Sequence, residues 1–138
     1  MASRRTHAAE GAFVGGFLGA AGGLIRARVE GRPVTLWDLV GGTLVGAGAG
    51  AVAGVLPDIL EPASHPNHRR VFHSLELAIG LAPVVMKVVA NERYGVAVLA
   101  VGVPAAAGYW LHLARDSETS RGLPRYLLPP LKTGARRR

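Results

Sequence analysis

Five histidines, each group of them near a carboxylate, are the residues in this chain equipped for chemistry, and there is no cysteine. Glu10 stands three positions after His7, Glu76 three after His73, and Asp116 four after His112. Asp58 and Glu61 precede His65, His68 and His73. Separations of three or four put such pairs on one face of a helix. Without thiols, disulfide scaffolds, cysteine nucleophiles and Cys-ligated zinc are excluded. Neutral imidazole and carboxylate are donors for a divalent transition ion, zinc first, with manganese or iron as alternatives. A lone interfacial histidine is more often a hydrogen-bonded side chain than a ligand, so the weight falls on the grouping. His65, between Ser64 and Pro66 in a turn, is the least suited to it.

Four apolar blocks must position these residues. Gly11 to Ile25 is fifteen uncharged residues and Leu39 to Pro57 nineteen, close to the ~20 that cross the hydrocarbon of a bilayer. Leu75 to Ala90 is interrupted by Glu76, Pro83 and Lys87, and its length also suits a re-entrant or tilted segment. Tyr94 to Ala114 runs twenty-one residues without a charge, with Tyr109 and Trp110 where an aromatic belt sits. Hydrophobic residues are 49% of the chain and charged residues 18%, against about 25% charged in soluble domains. Gly11, Gly15, Gly19 and Gly23 recur every four residues, as do Gly42, Gly46, Gly50 and Gly54. In water a helical glycine costs roughly 1 kcal/mol against alanine, whereas in lipid a bare stripe lets helices approach closely. The expected fold is all-α: a small polytopic membrane bundle of about four transmembrane helices, one domain over 1–138 with a basic tail from about 117. A soluble Gly/Ala-rich hairpin is the alternative, and for the first block also a signal peptide.

With four crossings, eleven of the sixteen Lys and Arg fall on the side of the termini and central loop, and five on the other. The positive-inside rule then puts both termini in the cytoplasm of an inner, or cell, membrane. The same topology carries all five histidines to that one face. A net charge of +7 suits anionic partners, but no nucleic-acid recognition motif accompanies it, so direct nucleic-acid binding is not expected.

Three stretches then look familiar: Leu56-Pro57-Asp58-Ile59-Leu60-Glu61-Pro62, His68-Arg69-Arg70-Val71-Phe72-His73-Ser74, and Leu111-His112-Leu113-Ala114-Arg115-Asp116, with Thr6-His7 ahead of them. Together they resemble the membrane-bound metal-dependent hydrolase family, described as LexA-binding, inner-membrane-associated hydrolases or YdjM-like proteins. The resemblance runs from His7 to about Pro129 and implies His7, Asp58, His68, His73, His112 and Asp116 as the metal set. Some relatives read Pro-Asp-Ile-Asp-His where this chain has Pro57-Asp58-Ile59-Leu60-Glu61, which leaves Glu61 as the substituting acid.

The expectation is a hydrolase at the cytoplasmic membrane face. Asp58 belongs to the catalytic centre, and Glu61 or Glu10 is the general base that takes a proton from water. Arg69 and Arg70 hold an anionic group, which suits a phosphoester or lipid-derived substrate. The rivals are a non-enzymatic membrane protein with a structural metal site or a soluble regulatory partner, and a small pore lined by the glycine stripes. Homo-oligomers are open to each of these readings.

Overall fold

The computed structural model describes residues 3–62, 71–91 and 95–118, and among them the regular structure is helical throughout. His65, His68, Arg69, Arg70 and the basic tail from 119 lie outside the described residues.

Helix α1, Arg4–Val29, starts seven residues before the uncharged block because Ser3 caps it, its hydroxyl accepting from the Thr6 amide at 3.3 Å. His7 and Glu10 are thereby helical. A turn at Gly31, in the left-handed region at φ 65°, reverses the chain. Helix α2, Leu36–Leu60, opens with a capping box in which Thr35 and Asp38 exchange hydrogen bonds. Arg32 binds Asp38 with both terminal nitrogens, at 2.7 and 2.6 Å, and Glu30 through Nε at 2.6 Å, while Arg26 holds the other Glu30 oxygen at 2.8 Å. This chain of charges closes the hairpin at the end away from the histidines. Helix α3, Leu75–Val89, is capped by Ser74 and contains Pro83. The last helical run comprises a turn Gly95–Ala97, a π-helical segment Val98–Gly102 and an α-helix Val103–Ser117, together labelled α4.

The two glycine stripes meet. α1 and α2 run antiparallel with Gly11 on Gly50, Gly15 on Gly46, Gly19 on Gly42 and Gly23 on Asp38, backbone against backbone. A Cβ at any of these glycines would collide with the facing carbonyl. α4 lies across the same hairpin, with Gly108 on Gly50 and Gly22 beneath Leu99. α3 touches the bundle chiefly through α4.

Burial is inverted relative to a soluble domain. Among the described residues the interior is glycine, alanine, histidine, Ser74 and Asp116, with Val98, Leu113, Pro57 and Pro104 as its few larger apolar side chains. Phe13, Phe17, Trp37, Leu44 and Val52 are all more than 60% exposed. A monomer in water does not spread large apolar side chains over its surface in this way, but hydrocarbon accepts them, and close backbone packing then supplies the attraction between helices. At 26 and 25 residues α1 and α2 reach about 38 Å, enough to cross a bilayer. α3, with 15 residues, reaches only about 22 Å.

Candidate metal centre

One end of the bundle gathers His7 from α1, Asp58 from the last turn of α2, Glu61 just beyond it, His73 just before α3, and His112 and Asp116 from α4. His7, His73, His112 and Asp116 are buried, whereas the Asp58 side chain stays 24% exposed and marks the side from which the cluster is reached.

Two hydrogen bonds orient the imidazoles. His112 Nδ1 lies 2.7 Å from the Gly54 carbonyl, which can only accept, so in the neutral ring the proton sits on Nδ1 and the lone pair on Nε2. His73 Nδ1 lies 3.0 Å from Glu61 Oε2, and the same logic turns its basic Nε2 inward. His73 Nε2 is 3.4 Å from Asp58 Oδ1 and 3.6 Å from Asp116 Oδ2. His112 Nε2 is 3.9 and 3.5 Å from the same two oxygens.

These separations decide what the cluster suits. Two donors bound to one ion at about 2.0–2.2 Å and the tetrahedral angle stand about 3.3–3.6 Å apart, and three of the four distances lie in or within 0.1 Å of that range. His112 Nε2 and His7 Nδ1 are buried with no hydrogen-bond partner, a condition that costs free energy unless a cation or proton donor meets the nitrogen. Among the described residues, two triads have ligand atoms mutually within 4.8 Å: His7, His112, Asp116 and Asp58, His73, His112. Both draw on His112, whose Nδ1 is engaged by Gly54, and one Nε2 lone pair serves one ion. The residues present thus fit a single divalent cation. The His7 ring is 4.1 Å from the His112 ring, centroid to centroid, and the His73 ring 5.1 Å.

The glutamates suggested as general bases are both engaged by other groups of the chain. Glu61 accepts from the Val71 and Phe72 amides at 2.7 and 3.2 Å as well as facing His73. Glu10 is bound by Arg115, whose Nη2 lies 2.6 Å from Oε1 and whose Nε reaches both oxygens. Arg115 thus ties α4 to α1. Neither glutamate belongs to a ligand triad among the described residues.

Three positioning groups escape a reading by spacing. The Gly54 carbonyl sets the His112 tautomer, and Gly54 must stay bare because a Cβ would stand 2.7 Å from the His7 carbonyl. Tyr109, expected in an aromatic belt, donates its hydroxyl to the Phe72 carbonyl at 2.9 Å and steadies the strip carrying His73. Arg4 donates to the Asp58 carbonyl at 2.8 Å, a cation on the C-terminal end of α2. Gly54 did carry a signal, since it extends the α2 stripe to four residues before Asp58.

Compared with known proteins, residues 1–137 match the family model described as YdjM inner membrane protein. No curated protein and no solved structure matches the chain.

Proposed function

The chain belongs to the YdjM inner membrane protein family, and on that premise we propose that it is a membrane-bound, metal-dependent hydrolase acting on a phosphoester or lipid-derived substrate. The observation that carries this reading is the buried, unpartnered Nε2 of His112, facing the Asp58 and Asp116 carboxylates beside His73. Asp58, His73, His112 and Asp116 would hold one divalent ion, zinc in preference to manganese or iron, with His68 as a further ligand and His7 left free of the ion. When bound, such an ion lowers the pKa of water and polarises the scissile bond.

The chain's own groups supply the rest. Glu61 and the Gly54 carbonyl hold the two imidazoles by their Nδ1 protons and keep both Nε2 atoms basic. Partial exposure of Asp58 gives water and substrate their approach. His7, with Nδ1 unpartnered beside His112, is the group best suited to accept a proton from attacking water. Glu61 and Glu10 are positioning residues in this reading, the first for His73 and the second for the α1–α4 contact. Arg69 and Arg70, just before Val71 in sequence, would hold an anionic part of the substrate. The excess of Lys and Arg toward the termini supports four crossings with both ends, and the site, in the cytoplasm.

Near-complete burial of His7, His73, His112 and Asp116 favours a second reading, a structural ion in a membrane protein that recruits a soluble partner. The two separate on activity. Zinc-loaded protein in detergent is assayed on phosphomonoester, phosphodiester and carboxylic-ester substrates beside His73→Ala and His7→Ala. Hydrolysis abolished by His73→Ala supports the enzyme; metal bound without hydrolysis of any of the three classes supports the structural ion.

A further inference from the structure

An apolar groove of about 520 Å³ runs between α2, α3 and α4, within the range of about 300–1,000 Å³ typical of small-molecule sites. It exists because α3 stands away from its neighbours where Ala82, Gly102, Ala105 and Ala106 present little or no side chain. Along α4 it extends from Gly102 to Trp110, about 12 Å at 1.5 Å per residue. Leu56, Leu77, Val85 and Met86 complete its walls.

Its polarity is graded. Among the described residues of the lining, the polar side-chain N and O atoms are the Tyr109 hydroxyl and the Trp110 indole N–H, both on residues at the end toward the histidines. Phe72 at that end precedes His73 directly, and His112 follows Tyr109 by three residues, one helical turn. The opposite end, at Met86 and Gly102, is wholly apolar. The rim is continuous with the lipid-facing surface through Leu81 and Met86, both exposed. Water gains nothing in such a slot, and hydrocarbon is the solvent around it.

We propose that this groove receives an acyl chain of a membrane lipid whose head group reaches the His73–His112 cluster, so that the substrate is the head-group ester of a bilayer lipid. This rests on the hydrolase reading above for the chemistry, but not for the occupancy of the groove. Aromatic residues with polar tips at one end set the lipid's direction, chain toward Met86 and head group toward Asp58. In hydrolysis, water adds its oxygen to the head-group phosphorus or carbonyl carbon, the bond from that atom to the leaving oxygen breaks, and the departing alkoxide takes up one of the water's protons to leave as the alcohol.

The test places the full chain in phosphatidylcholine vesicles containing a trace of phosphatidylglycerol with a diazirine halfway along one acyl chain. After irradiation, adducts are mapped by mass spectrometry and metal content is measured on the same samples. Labelling of Leu77, Val85, Met86 and Ala106 should exceed several-fold that of Phe13, Phe17, Leu44 and Val52, which are strongly exposed and open to bulk lipid, whereas Leu77, Val85 and Ala106 are only partly exposed. An Ala82→Phe, Ala106→Phe double variant should lose that excess and keep the labelling of Phe13 and Phe17. Should the double variant not fold, Ala106→Leu alone is read the same way. Even labelling of all exposed helices, or an excess that survives filling of the groove, overturns the proposal. Absence of metal from the wild type counts against the metal site alone, since the adduct pattern reads the groove independently.

Discussion

His112 donates its Nδ1 proton to the carbonyl of Gly54, 58 residues earlier, at 2.7 Å. Gly54 also admits the His7 carbonyl to within 2.7 Å of where its own Cβ would be. One bare residue therefore fixes the tautomer of one imidazole and the approach of the helix bearing another. Gly54→Ala should push α1 outward and displace His7 from His112. Metal bound per chain should fall sharply while the helical circular-dichroism signal persists, and undiminished metal would detach Gly54 from the site.

Close packing of α1 on α2 makes a second prediction with an internal control. Gly15→Ala or Gly46→Ala sets a methyl against a facing backbone carbonyl, whereas a Cβ at Gly41 or Gly48 meets nothing within 4 Å. The first pair should destabilise the folded bundle by about 1–3 kcal/mol, as overpacking does. The second pair should be neutral or slightly stabilising, because alanine is the better helix former. Reversible unfolding in mixed detergent micelles separates the two classes.

Glu61 bears on metal affinity through His73. Glu61→Gln keeps the size but replaces one acceptor oxygen by a donor nitrogen, facing groups that are themselves donors: the Val71 and Phe72 amides and His73 Nδ1. Loss of such an orienting carboxylate typically weakens metal binding about 10–100-fold. Zinc competition titration should find a shift of that size in Glu61→Gln and a smaller one in Glu10→Gln, whose carboxylate pairs with Arg115 instead.

The hairpin turn supplies a pH dependence remote from the site. Hydrogen bonds from Arg26 and then Arg32 hold the Glu30 carboxyl below its usual range. A carboxyl depressed in the folded state contributes stability that is complete above its unfolded pKa, about 4.3, and is lost as pH falls through the folded value. Glu30→Gln should therefore flatten the acid side of the stability profile below about pH 4 and leave neutral-pH metal content unchanged. Thr35→Ala, which removes the α2 cap, should cost about 0.5–2 kcal/mol at all pH values.

Much of the bundle could be read from spacing. Glycines every four residues in two blocks announce two helices with bare faces, and those faces meet in register, Gly11 on Gly50 through Gly19 on Gly42. Placing His7, Asp58, His73, His112 and Asp116 at one end needed only the alternation of apolar blocks. What periodicity does not carry is pairing between distant polar groups. Arg115 finds Glu10 across 105 residues and Tyr109 finds Phe72 across 37, so Glu10 read as a base and Tyr109 as a belt residue. The π-helical segment Val98–Gly102 was also hidden, since the stretch from Val96 to Ala107 carries no polar side chain and offers no phase from which an extra residue per turn could be noticed.

Metal content tests the account most directly. The full chain is purified in detergent after growth with added zinc, manganese and iron, beside a His73→Ala, His112→Ala double variant, and each is analysed for elements. One equivalent of a divalent transition ion per wild-type chain, absent from a double variant that remains helical and monodisperse, is the predicted result. A wild type without metal under those conditions, or a double variant that keeps it, would contradict the assignment of this cluster as the metal centre.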